Sequence, residues 1–304
     1  MAAEDRACGS GFDDDAVAAD ADRPAANGAL RDDLAEFHGT DLDDRSYDVE
    51  AFLAGGQTLR GIERELAGDV TGKELLHLQC HFGMDTLSWA RLGARVTGVD
   101  SSPEAVARAR RLAEQAGLEA EFVEADAQRL PDALAAGFDL VVATYGVLSR
   151  VGDLDAWMSG AASALRPGGR LVLVDPHPVF QAVLTFDPFV ADRPHGGGAP
   201  HHDAMTGVYA HADVPAEPKT STRYPYALGQ IVRAATSAGL VVERLGEHTE
   251  TETGGRHLLS QGRTACTGSP SATPICPSCI RSGRSVRRLS AAHESRRLSF
   301  TTSR

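Results

Sequence analysis

No run of 18 or more apolar residues occurs anywhere in the sequence, which excludes a membrane-spanning helix. The opening residues, Met1-Ala2-Ala3-Glu4-Asp5, lack the basic flank and apolar stretch of a secretory signal, so a cytoplasmic protein is expected. Cysteine is sparse and odd in number: Cys8, Cys80, Cys266, Cys276 and Cys279 are too scattered for a disulfide framework. Cys276-Pro277-Ser278-Cys279 has the spacing of half a zinc site, but no second pair follows. His257 and Cys266 are poor substitutes, so no metal is expected. From Gly255 onward lysine is absent and Glu294 is the single acid, against nine arginines. Taking that tail from the chain's 30 basic and 42 acidic residues leaves 21 against 41, a net charge of −20 on the body. So acidic a body repels nucleic acid and anionic membranes. It also fits adaptation to high salt, where screening weakens self-repulsion.

What is present is an alternation of strands and helices. Residues 1–28 are rich in Ala and Asp, show no apolar period and read as a disordered acidic leader; sparse helical patterning follows over 29–72. From Lys73 the rhythm is regular. Leu75, Leu76 and Leu78 predict a first strand ending before Gly83, and Thr86, Leu87 and Ala90 start a helix. Val96–Val99 is a second strand. Ser102-Pro103-Glu104 is a helix entrance, with Ser as N-cap and Pro in the first turn, and Gly117 is its stop. Ala120–Val123, Phe138–Ala143 and Leu171–Val174 predict further strands, with helices over 154–165 and 226–238 and a sixth strand at Leu240–Leu245. Residues 176–223 break the rhythm with Gly, Pro and His and are expected to be an insertion that could cover a substrate. Such alternation predicts an α/β protein, a doubly wound and mostly parallel Rossmann-like sheet.

Open sheets of this kind bind ligands at the carboxyl ends of their strands, beside the switch point. Three polar stops sit there: His77-Leu78-Gln79-Cys80-His81-Phe82-Gly83, then Asp100, then Glu124-Ala125-Asp126-Ala127. The first loop brings backbone N–H groups and a helix N-terminus toward a ligand carboxylate. Asp100 lies 17 residues beyond Gly83, about the separation at which an acid reaches ribose hydroxyls. Asp126 could accept from an exocyclic amine. Together these describe an adenosine-containing ligand.

Leu76 to Ala90, with Val96-Thr97-Gly98-Val99-Asp100-Ser101-Ser102, resembles a bacterial and archaeal group of class I S-adenosylmethionine-dependent methyltransferases. Phe138-Asp139-Leu140-Val141-Val142 and Leu165-Arg166-Pro167-Gly168-Gly169-Arg170-Leu171 match later blocks of that superfamily, and the likeness runs from about Tyr47 to Leu245. The resemblance implies S-adenosylmethionine as cofactor and a small-molecule methyl acceptor. It implies that Gln79, Cys80 and Gly83 line the methionine end, that Asp100 with Ser101 holds the ribose, and that Asp126 with Ala127 holds the adenine. Thr144, Tyr145 and Gly146 would sit beside the transferable methyl group. It also implies a domain over 73–253, preceded by a helical cap over 29–72. The superfamily's usual first loop has three glycines preceded by an acid; here only Gly83 remains, with His77 in the acid's place and Gln79 and His81 at the other two glycines.

Should the acceptor be protonated, Tyr145, His177 and the pair His201-His202 are the candidate bases. A nicotinamide dehydrogenase would need glycines where Gln79 and His81 stand. A cofactor-binding protein without activity is the other alternative, and it draws only on the tail. This topology normally ends in a seventh strand inserted antiparallel between the fifth and sixth. No continuous run of five or six apolar or β-branched residues follows Thr253, and the composition turns to Arg, Ser, Thr and Pro. The sequence therefore predicts that this strand is missing, that 254–304 is a basic disordered tail, either native or set by a shifted reading frame near Thr253, and that one sheet position is unfilled.

Overall fold

The computed structural model describes residues 47–179, 183–186, 189–191, 195–205, 219–248 and 296–303. The acidic leader, Thr253, His257 and every cysteine but Cys80 lie outside them. In chain order the elements are α1 (Val49–Leu53), α2 (Gly61–Ala67), β1 (Glu74–Leu78), α3 (Met84–Arg91), β2 (Arg95–Asp100), α4 (Pro103–Ala116), β3 (Glu121–Glu124) and β4 (Phe138–Thr144). They continue with α5 (Leu154–Ala164), β5 (Leu165–Pro176), β6 (Val183–Phe186), β7 (Phe189–Ala191), β8 (His201–Met205), β9 (Lys219–Arg223), α6 (Leu228–Ser237), β10 (Val241–His248) and β11 (Arg297–Ser303).

Seven strands form one sheet in the order β10-β11-β5-β4-β1-β2-β3, every pair parallel. The two-residue period of the strands sorts their side chains onto two faces. Leu76 and Leu78, Val141 and Ala143, and Leu171 and Leu173 pack with Trp157, Met158, Ile231 and Ala235 of α5 and α6. Their neighbours Leu75, Leu140, Val142, Val172 and Val174 pack on the other face with Leu66 and Ala67 of α2 and Trp89 of α3. Burial on both faces is why these strands read as unbroken apolar runs. At α4 the Ser102 side chain accepts from Ala105 N at 3.0 Å, Pro103 opens the helix and Gly117 closes it in the left-handed conformation. The helix entrance and stop read from the sequence are thus the ones used.

Within 176–223 the described pieces are two antiparallel hairpins, β6–β7 and β8–β9, each a separate two-stranded sheet. Residues 165–176 are one strand, longer than the expected Leu171–Val174. The Pro167-Gly168-Gly169 turn survives inside it as a register shift, with Gly168 at φ +79°.

The C-terminal expectation is corrected. The sheet position between β5 and β10 is filled, by Arg297–Ser303, and the strand runs parallel to both neighbours. Leu298 and Phe300 point into the core shared with α5 and α6 and are fully buried. The segment escaped the sequence reading because it is not a continuous apolar run: apolar residues alternate with serine, and threonines follow. Buried among them, the Thr301 and Thr302 hydroxyls have no hydrogen-bond partner, each an expense of about 1–3 kcal/mol. Thr302→Val is therefore expected to raise the melting temperature, since it keeps the branched shape without the unpaired hydroxyl; a lower melting temperature by scanning calorimetry would show that the hydroxyl is used.

Candidate functional site

Chain order reverses between β4 and β1: β1 to β3 build outward in one direction and β4 and β5 in the other. A crevice opens at such a reversal, at the carboxyl ends of the strands. Because β4, β1, β2 and β3 are adjacent and parallel, the loops beginning at 79, 100, 125 and 144 leave the same edge of the sheet. Gln79, Cys80, Gly83, Asp100, Ser101, Asp126, Ala127, Thr144, Tyr145 and Gly146 are thereby gathered at one edge. His177, just past β5, is on that edge but two strands from β1. His201 and His202 lie on β8, where His202 Nδ1 is 3.1 Å from Thr222 Oγ1.

The first loop keeps a glycine-type backbone without the glycines. Gln79 and His81 both stand at φ +54° and Gly83 at φ +85°. A left-handed conformation costs a residue with a Cβ about 1–2 kcal/mol, so the surroundings must enforce it. Trp157 Nε1 donates to Gln79 Oε1 at 3.0 Å, Gln79 Nε2 donates to Val147 O at 3.4 Å, and His81 N donates to Asp100 Oδ2 at 2.9 Å. The floor of the loop is Phe122 of β3. A Cβ on Gly83 would lie 2.8 Å from that ring, and one on Gly98 would lie 2.7 Å from it. The sequence reading assigned neither Phe122 nor Gly98 a part in the loop, since only the packed sheet brings them under it.

Asp100 ends β2 almost wholly buried, with Oδ1 accepting from Ser102 N at 3.0 Å. Both oxygens are thus aimed by backbone amides. Asp126 folds its own turn, Oδ1 accepting from Gln128 N at 2.9 Å, while Oδ2 meets Arg129 at 3.2 Å. Cys80 is buried, and burial pushes its thiol well up. His77 is also buried; its Nδ1 lies 2.8 Å from Thr86 Oγ1 and burial holds its pKa down. Where the superfamily carries an acid, this loop carries a histidine that burial keeps neutral.

Two acids missed in the sequence reading complete the edge. Asp175, near the end of β5, accepts from the backbone N–H groups of Gly146, Val147 (3.0 Å) and Leu148 (3.2 Å) and so pins the turn after β4. Its burial raises its pKa to about 7, against the lowering effect of those three amides. An acid closing an apolar strand was its signal, the same one that marked Asp100. Glu63 of α2 is fully buried, accepts from Arg60 N at 2.9 Å and from the Tyr145 hydroxyl, and burial raises it to about 7. Nothing in the sequence placed α2 against the end of β4.

Asp175 makes the stability of the fold depend on pH. Its folded pKa is raised, so its contribution to stability is complete below about pH 4 and is lost as pH rises to about 7. Asp175→Asn is expected to gain stability relative to the wild type across that window, with a flat difference above it. A difference in melting temperature that does not change with pH would remove the burial argument.

His177 does not fit the role of a base. Val179 N donates to its Nδ1 at 3.1 Å, which leaves Nε2 to donate to Glu247 across β11 at 2.6 Å. Both ring nitrogens are committed. Among the described residues no group of three His, Cys, Asp or Glu side chains could hold a metal, and no helix is long and apolar enough to cross a membrane.

These features make the molecule a Rossmann-like domain with a ligand crevice lined by two acids and a left-handed loop. Residues 75–169 match the family model described as a methyltransferase domain. The chain is similar to a demethylmenaquinone methyltransferase of Thermus thermophilus, 42% identical over 134 residues, covering 42% of this chain and 60% of the relative. It is similar to a ubiquinone biosynthesis O-methyltransferase of a Methylobacterium species, 38% identical over 102 residues, 33% of this chain and 39% of the relative. The alignments with the first curated relatives thus span less than two thirds of those proteins' own length. Among solved structures, an S-adenosylmethionine dependent methyltransferase from Mesorhizobium loti is 20% identical, with a TM-score of 0.42, covering 59% of this chain and 79% of the other.

The residues present suit S-adenosylmethionine. The Gly83 turn is a cradle that a Cβ would fill, the uncapped N-terminus of α3 follows it, and a Cβ on Gly146 would meet only open space. The carboxylates of Asp100 and Asp126 are each aimed by backbone amides.

Proposed function

We propose that the protein transfers a methyl group from S-adenosylmethionine to a small-molecule acceptor. The observation that carries this reading is the first loop. Its backbone holds three left-handed residues over Phe122 and so presents N–H groups at the start of α3, beside Asp100 on the neighbouring strand. The cofactor would supply a methyl group on a sulfonium, already activated for displacement. The chain's own part is alignment and exclusion of water. Amides of the 79–83 loop and the start of α3 would hold the carboxylate. Asp100 and Ser101 would take the ribose, and Asp126 and Ala127 the adenine. Thr144, Tyr145 and Gly146, held by Asp175, would shape the side from which the acceptor approaches. The relatives named for ubiquinone biosynthesis and demethylmenaquinone methylation support a small organic acceptor. The acidic body argues against nucleic acid or an anionic membrane as partner.

Titration calorimetry with S-adenosylhomocysteine tests cofactor binding, with NAD as the contrast; saturable binding of NAD alone would reject the proposal. Incubation with methyl-labelled cofactor and a cell extract, followed by identification of the labelled product, tests the transfer. Asp126→Asn is expected to weaken adenosine binding with the fold intact, because an asparagine oxygen can still accept from Gln128 N while offering an amide where an acceptor is wanted. A large fall in melting temperature would mark Asp126 as structural instead.

A further inference from the structure

Glu63 and Tyr145 come from distant parts of the sequence and meet at the edge of the crevice. Tyr145 is half-buried, directly after β4 and next to the open space at Gly146. Its hydroxyl donates to Glu63 Oε2, and Arg60 N donates to Glu63 Oε1 at 2.9 Å. The Arg60 guanidinium lies over the Tyr145 ring, 4.0 Å from its centroid. The groups facing Glu63 are Arg60 from the segment before α2, Tyr145 from β4 and Asp85 from α3, the last occupied by the Thr58 hydroxyl. The phenol is therefore the link between the crevice and a buried carboxylate.

We propose that Glu63, reached through Tyr145, takes up the proton of the methyl acceptor, and that the acceptor is a weakly acidic hydroxyl such as a phenol or catechol. The inference rests on the methyl-transfer reading. In the step, the acceptor O–H gives its proton to Tyr145 Oη as the Tyr145 proton passes to Glu63 Oε2. The electron pair left on the acceptor oxygen forms the bond to the methyl carbon. The carbon–sulfur bond breaks and its pair stays on sulfur, giving the neutral thioether. Glu63 returns its proton to water through Tyr145 once the products have left. Glu63 works as the carboxylate, and burial lifts it to about 7, near the operating range of a general base. A thiol ionises readily enough to need no such relay. A protonated amine would have to sit beside the Arg60 cation.

The test compares catechol with 4-nitrocatechol, which is already largely ionised at pH 8, in the wild type, Glu63→Gln and Tyr145→Phe. Glutamine keeps an acceptor for Arg60 N, and phenylalanine keeps the ring beneath Arg60. With catechol each variant is expected to lose kcat by tenfold or more, within the range of general-base contributions. With 4-nitrocatechol the loss in each variant should be several-fold smaller than with catechol, whatever either change does to S-adenosylhomocysteine affinity. The wild-type rate with catechol should rise with pH through about 7, and that limb should vanish in Glu63→Gln. Equal losses on both acceptors would make the pair a tie that fastens α2 to the sheet, and overturn the relay. So would no loss on either, or a wild type that binds S-adenosylhomocysteine yet methylates neither. Should one variant fail to fold, the other decides. No binding of S-adenosylhomocysteine at all strikes the methyl-transfer reading itself, which is a different failure.

Discussion

Phe300→Ala is expected to lower the unfolding free energy by about 3–5 kcal/mol, the usual effect of emptying a fully buried phenylalanine site. Phe300 sits mid-strand in β11, pairs with Leu173 of β5 on one side and Leu245 of β10 on the other, and fills the core against α5 and α6. Among the described residues no other strand joins β10 to the sheet. The loss should therefore reach beyond the cavity: amide exchange along Val241–His248 should quicken together with that of Arg297–Ser303, since a parallel strand stripped of its neighbour exposes a row of backbone groups. Chemical denaturation measures the first effect and hydrogen exchange the second. A variant as stable as the wild type, with β10 amides still protected, would mean that residues 297–303 do not occupy this position.

Asp100→Ala is expected to weaken S-adenosylhomocysteine binding by about 1.5–3 kcal/mol, the size of hydrogen bonds to a charged group lost without replacement. The carboxylate is rigid because His81 N and Ser102 N hold its two oxygens. It needs no reorganisation to receive a ribose, and for the same reason its loss should also loosen the 79–83 loop. Asp100→Asn separates the two effects: its oxygen can retain one backbone bond, so the fold should suffer less while the charge is still lost. Calorimetry at matched folded fractions reads the affinity. Unchanged affinity in both variants would take Asp100 out of the site.

Most of the central sheet was legible because β1, β4 and β5 are buried on both faces and bounded by strong punctuation. Phe138–Thr144 is apolar but for Asp139 and its closing threonine, and Ser102-Pro103 with Gly117 fixes α4 at both ends. Asp100 stood out because it closes a buried strand, and Asp126 because it follows the end of β3 by two residues. Arg297–Ser303 was not, because its apolar content is two residues and its strand character depends on the slot between β5 and β10. The partners of the His177 ring were not legible, because sequence gives position along the edge but not what a ring nitrogen meets; Val179 and Glu247 supply those.

The sequence by itself determined the alternation of strands and helices, the acids at the strand ends and the variant first loop, since these depend on neighbours a few residues apart. Tertiary structure alone decided that Gln79 and His81 take glycine-like conformations, because the forces that hold them come from Trp157, Val147 and Asp100. It alone decided that Glu63 lies buried under the Tyr145 hydroxyl, 82 positions away. A carboxyl group takes its pKa from what surrounds it after packing, and no local pattern carries that information.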